Sequence, residues 1–334
     1  MRLFFTSLLM IFGFFAPAMA EKVTLRLHQF LPANSVIPSQ AIAPWAKRIE
    51  DASDGRIKIE LYPSMQLGGS PPQLFDQAKD GVADIIWTVL GYTPGRFPKS
   101  EVFETPFMVS NAKDTSKAFQ TYVEQYAMDE FADVKLIAVH THGPGIFHTN
   151  KLVREFEDLK GMKIRGGSRI INNMLKNLGA EPIGMPVPAV PEALSRGEID
   201  GTTIPWEVTV ALKTSELVDN HTGFSGKRGL YTQTFALVMN LDSYEKLPKD
   251  LKAIIDNESG IRIAAEFGAV MDKADIVGEQ AARDLGNRII KIGKAGTARW
   301  QEAAKVTIDD WIKNTPDGQM LYSAANSLVD YYTK

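Results

Sequence analysis

"VADIIWTVL", residues 82–90, holds one charged residue, Asp84, among nine. A run this apolar reads as a strand buried on both faces, as strands of parallel sheets are. Segments with helical spacing flank it. The one before passes through Leu74 and Ala78 and stops at Gly81, where a C-cap glycine would end a helix. The one after covers roughly residues 113–130. Further out, "KVTLRLHQF" (22–30) and "GRIKIELYP" (55–63) alternate as strands do, and "VKLIAVHTH" (134–142) is another strand. Ala41, Trp45 and Ile49 share a helical face between the first two. Strand and helix therefore alternate over the first 140 residues, which argues an α/β fold with a mostly parallel sheet.

At "GPGIFHTN" (143–150) the chain reads as loop, and then the pattern restarts. "GMKIRG" (161–166) is a short strand. A helix follows from Ser168, with Ile171, Met174, Leu175 and Leu178 on one face and Gly179 at its end. "AVPEALSRG" is a short helix and "EIDGTTIP" a strand. "QTFALVMN" (233–240) is an apolar strand where the chain crosses back. The stretch 250–293 contains no proline and has helical spacing, with Gly260 as the one candidate interruption. It reads as a long helix bracing two lobes. Lobe 1 is expected at 21–143 plus about 235–260, and lobe 2 at 144–234. Residues 261–334 are expected to supply helices packed across both.

Arg2, the apolar run "LFFTSLLMIFGFFAP" and the small-x-small Ala18-Met19-Ala20 form a secretory signal. Cleavage is expected before Glu21. The 334 residues include no cysteine. An exported chain without disulfides relies on its core, which suits the periplasm. The net charge of -3 argues against a nucleic-acid surface. Gly-rich phosphate loops, the G-x-S-x-G elbow and H-E-x-x-H are all absent, so no enzyme class and no cofactor is indicated. His140 and His142 alternate on one strand, but a metal site would need a third ligand such as His148; structural histidines are the plainer reading.

Arg165 ends a strand just before a helix N-terminus, where free N–H groups favour anions. It is either a carboxylate clamp or a surface arginine paired with Asp158 or Asp200. His28 ends the first strand, on the side that faces the crevice in α/β sheets. Trp87, Tyr92 and Trp206 also stand near strand ends. Glu207 beside Trp206 has three open readings: a partner of Arg165, an acceptor for a ligand hydroxyl, or a solvent-facing carboxylate.

The chain resembles the DctP-type solute-binding proteins of tripartite ATP-independent periplasmic (TRAP) transporters. "LRLHQFLPANS", "GRIKIELYPSMQLGG", "GVADIIWTVLGYTPGRFPKSEVFETPFM", "LKGMKIRGG", "PEALSRGEIDGTTIP" and "ALVMNLDSYEKLP" carry the resemblance, in order, over about 25–334. It implies a two-lobe periplasmic binding protein, not an enzyme, which closes on a small organic acid anion and delivers it to TRAP membrane permease subunits. Arg165 falls on the family's arginine that pairs with the ligand carboxylate. Many members carry another arginine before the "LKG" segment; here Phe147 and His148 stand in that neighbourhood. The family's frequent asparagine before the proline of the "DG" motif is Ile204. Both departures remove polar groups, and favour a monocarboxylate with an apolar or aromatic body. The expected ligand-binding set is Arg165, Trp206, Glu207, Trp87, His28, Phe147, Val187 and Asn34. A 2-oxo or hydroxy group would be read by His28, Glu207 or a nearby hydroxyl. A C4-dicarboxylate or sugar-acid receptor, and a partner of a membrane sensor, are the alternatives. The short C-terminal tail favours a monomer.

Overall fold

The structure, a computed structural model, describes residues 22–334. The secretory signal read at 1–20 lies outside the described residues. β1 (Val23–His28), α1 (Ala43–Ala52), β2 (Ile57–Tyr62), α2 (Leu74–Lys79), β3 (Ile85–Val89), α3 (Ala112–Tyr122) and β4 (Val134–Thr141) alternate along the first part of the chain. Next come β5 (Ile146–Thr149), β6 (Lys163–Gly166), α4 (Arg169–Asn177), β7 (Glu181–Gly184), α5 (Val190–Ser195) and β8 (Gly201–Ile204). Single-turn helices α6 (Thr209–Leu212) and α7 (Thr214–Leu217) lead to β9 (Asn220–Phe224). β10 (Thr234–Asn240), α8 (Leu241–Glu245), α9 (Lys249–Asn257), α10 (Ile261–Asp284), β11 (Arg288–Ile292), α11 (Lys294–Asn314) and α12 (Gly318–Tyr332) complete the fold.

Two sheets form the two lobes. The first runs β2-β1-β3-β10-β4, with β1 parallel to β2 and β3. β10 is inserted antiparallel to both β3 and β4, and all seven of its residues are buried. The second runs β11-β9-β5-β8-β6-β7. Two segments differ from their reading in the sequence. Residues 146–149 form β5, which pairs antiparallel with β8 and β9. Its four residues, after Gly143 and Gly145, are too short a signal to stand out from a loop. The expected long helix also ends early. Gly260 (φ 78°) separates α9 from α10, and Gly286 (φ 79°) turns the chain into β11. β11 is rich in β-branched residues and pairs with β9 in the second sheet.

α10 braces the lobes through small residues and carboxylates. A Cβ at Gly268 would lie 2.6 Å from the Ala112 carbonyl oxygen, at the start of α3. One at Gly278 would lie 2.1 Å from the Trp206 carbonyl oxygen, in the second lobe. Between these glycines, Asp272 accepts the Ala112 and Lys113 N–H groups at 2.7 and 2.9 Å. Those are free donors of the α3 N-terminus. Asp275 accepts the Glu207 N–H at 2.7 Å. A single helix face thus touches both lobes.

Candidate functional site

Arg165 lies on β6 between β7 and β8. Strand alternation sends its neighbour Ile164 into the second lobe's core and Arg165 to the opposite face. Its side chain is fully buried. Nε donates to the Met185 carbonyl at 2.9 Å and Nη1 to the Thr203 carbonyl at 3.3 Å. Nη2 has no partner, and no carboxylate among the described residues pairs with the guanidinium. The pairing with Asp158 or Asp200 is absent. Asp158 caps its own turn, and Asp200 accepts the Lys163 N–H. The positive charge is felt at Tyr92 and His142.

Tyr92 and His142 line a narrow cavity between the lobes. Phe30, Trp87 and Val89 wall it from the first lobe. Val187, Ile204, Glu207 and Val208 close it from the second. Gln233 and Phe235 enter where the chain crosses back. The rings are tightly ordered. Trp87 stacks on Phe30 (4.8 Å, 10° between planes) and on Phe235 (5.3 Å, 7°). Its Nε1 donates to His140 Nε2 at 2.8 Å. His142 accepts the Gln233 N–H through Nε2 at 3.0 Å and hydrogen-bonds the Gly143 carbonyl through Nδ1 at 2.5 Å. Burial pulls its pKa down to about 3, so it is a neutral wall. His148 pairs instead with His221, through their Nδ1 atoms at 2.8 Å, so the three histidines do not form one cluster.

Of the expected ligand-binding set, Trp87, Val187 and Glu207 border this cavity, and Arg165 stands behind Tyr92 and His142. Four residues are placed elsewhere. His28 hydrogen-bonds Gln77 through Nδ1 at 2.6 Å and accepts the Leu67 N–H through Nε2 at 3.2 Å. It ties the loop after β2 to α2 and uses both nitrogens to do so. Phe147 points into the second lobe's core, 5.5 Å from Trp300. Trp206 turns away from the cavity and packs against His148 (4.9 Å) and His221 (4.8 Å). It borders a separate cleft with Asp275, Glu279 and Arg283. Asn34 is exposed on the turn after β1. Sequence reasoning missed Phe30, Gln233 and Phe235. Phe30 was within reach, since it follows the C-terminal end of β1. Gln233 and Phe235 arrive only through the long-range insertion of β10.

Contacts across the mouth hold the lobes together. Tyr92 Oη accepts the Val187 N–H at 2.9 Å. Arg169, at the start of α4, pairs with Glu101 of the first lobe. Burial outweighs this pairing and leaves the Glu101 carboxyl above its usual range. Arg169→Ala would strand that carboxyl in the interface and shift the population toward an open form. Ligand affinity is expected to fall about tenfold, equivalent to ~1.4 kcal/mol. Calorimetric titration checks the affinity, and small-angle scattering of the apo protein checks the opening. An unchanged radius of gyration together with unchanged affinity would remove the latch from the account.

The chain is similar in sequence and in fold to known proteins. Residues 27–314 match the family described as bacterial extracellular solute-binding protein, family 7. A TRAP solute-binding protein from Rhodoferax ferrireducens, solved with copurified benzoate, is 45% identical over 93% of this chain and 98% of its own, with a TM-score of 0.92. A marine metagenome protein specific for aromatic acid ligands, solved with 3-hydroxybenzoate, is 44% identical over 94% of this chain and 100% of its own, also at 0.92. A Bordetella bronchiseptica protein bound to (R)- and (S)-mandelate is 29% identical over 92% of this chain and 99% of its own, at 0.86.

Proposed function

We propose, since this chain belongs to bacterial extracellular solute-binding protein family 7, that its inter-lobe cavity binds a small aromatic monocarboxylate. It is a periplasmic receptor rather than an enzyme, and the acid it binds is handed to a TRAP permease. One observation carries the aromatic monocarboxylate reading. A fully buried guanidinium without a carboxylate partner stands behind a cavity walled by stacked rings and branched aliphatic side chains. Such a cation calls for one anion, and its planar fork suits a carboxylate. Apolar walls suit the body of an aromatic acid. The aromatic acids bound by three related proteins support the same reading.

C4-dicarboxylates and sugar acids fit less well. No lysine or arginine is among the described residues that line the cavity, and Glu207 would add a like charge or a neutral acid beside a second carboxylate. Burying that carboxylate unpaired costs several kcal/mol. Terephthalate and succinate are therefore expected to bind at least 100-fold more weakly than benzoate. The test is thermal unfolding of refolded, ligand-free protein against such a panel. Benzoate at about 1,000 times its dissociation constant should add roughly 4 kcal/mol. A larger shift with the dicarboxylates would sink the monocarboxylate reading while leaving the receptor role intact.

A further inference from the structure

Two polar side chains border the cavity without partners of their own. Gln233 is buried, and its Nε2 meets no acceptor. Glu207 is 7% exposed. Its backbone N–H is held by Asp275, but its carboxyl makes no hydrogen bond or ion pair among the described residues. The side chain borders the cavity, whose wall includes Val89, Ile204 and Val208, which have no polar side-chain atoms, and Trp87, whose Nε1–H is already donated to His140. A bare carboxylate in that setting would repel the anion the cavity is built to hold.

The neighbourhood keeps Glu207 protonated instead. Desolvation, with Asp275 adding like charge, pushes its pKa up to about 8. The titratable groups around it are Asp275 on α10, His142 and Tyr92 in the cavity wall, and Arg165 behind them. His142 stays neutral, and Asp275 titrates at about 7. At neutral pH the Glu207 carboxyl therefore presents an O–H to the cavity.

We infer that Glu207 donates a hydrogen bond to an oxygen substituent of the bound acid, so that the cavity selects hydroxy- or oxo-substituted aromatic acids over their unsubstituted parents. This rests on the aromatic monocarboxylate reading and names the substituent that reading leaves open. Leaving a buried donor unmet is costly, and sites built around such donors reject ligands that lack the oxygen.

The test is calorimetric titration with benzoate, 3-hydroxybenzoate, 4-hydroxybenzoate, phenylacetate and mandelate. The protein should bind at least one oxygen-bearing acid tenfold or more tightly than its parent. Glu207→Ala should erase most of that ratio, and Glu207→Gln, which keeps a donor, should retain it. With mandelate, whose hydroxyl does not ionise in this range, the dissociation constant should rise between pH 6 and 9.5 once Glu207 ionises. In Glu207→Gln it should stay flat above pH 8, which separates Glu207 from Asp275. A ratio near one, an equal loss for parent and substituted acid in Glu207→Ala, or the same alkaline rise in Glu207→Gln would overturn the inference. If benzoate binds and needs Arg165 yet the ratio is one, only this inference falls. If no aromatic acid binds at all, the reading beneath it falls too, and this inference with it.

Discussion

Arg165→Ala is expected to weaken aromatic-acid binding by a factor of roughly 10² to 10³·⁵, from the ~3–5 kcal/mol that separates a buried, paired charge from one left without its partner. The structure holds this guanidinium fully buried, with two backbone carbonyls as acceptors and one nitrogen unmet. Neutral acceptors compensate a buried cation poorly. Closing on an empty cavity is therefore costly, and a ligand carboxylate repays it. On the proposed reading the binding site and the closing switch are one group, and population shift is the expected consequence of its missing counter-ion. Arg165→Lys keeps the charge but not the planar fork, so it should fall between wild type and alanine. Arg165→Met removes the charge at similar bulk. Its ligand-free melting temperature should match or exceed that of wild type, while the benzoate-induced rise disappears. Titration calorimetry and thermal unfolding measure both. Affinity of Arg165→Ala within threefold of wild type would defeat the clamp.

The second large effect concerns stability. Gly278→Ala should destabilise the fold by about 3 kcal/mol, although alanine is the better helix former by ~1 kcal/mol. The added methyl would sit 2.1 Å from the Trp206 carbonyl oxygen. A backbone oxygen cannot rotate aside as a side chain can, so α10 or the turn bearing Glu207 must move. Gly268→Ala meets the Ala112 carbonyl at 2.6 Å and should act likewise on the first lobe. Urea unfolding reads the loss. If either variant proves more stable than wild type, the close approach of α10 to that lobe is wrong. Because the Gly278 contact lies next to Glu207, its variant should also loosen ligand binding, whereas Gly268→Ala should change affinity less.

Local signals account for much of what the chain declares about itself. "VADIIWTVL" became β3 because a run of apolar, largely β-branched residues has few other stable outcomes. Ser168 caps α4, accepting the Ile171 N–H, so the strand–turn–helix around Arg165 was legible from neighbouring residues alone. Gly81, at φ 74°, ends α2 as its type suggested. The absence of cysteine is likewise a fact of composition.

Facing is another matter. Phe147 and Trp206 were expected at the cavity because of where they stand along the chain. Which way a side chain points depends on strand register and on what packs opposite. β5 turns Phe147 toward Trp300, which lies 153 residues away in sequence, and α10 presses the Trp206 turn so that its ring meets His148. His28 was drawn off by the Gln77 amide and the Leu67 N–H. Gln233 and Phe235 reached the cavity because β10 inserts between β3 and β4, a pairing no local pattern encodes. The protonated state of Glu207 belongs to the tertiary structure as well, since the same residue in an open loop would be a carboxylate. By itself the sequence determined most of the elements, though not β5 or β11, together with the position of the arginine and the family. The tertiary structure alone decided which residues share a cavity and which of them carry charge, because burial and register are properties of residues brought together from distant parts of the chain.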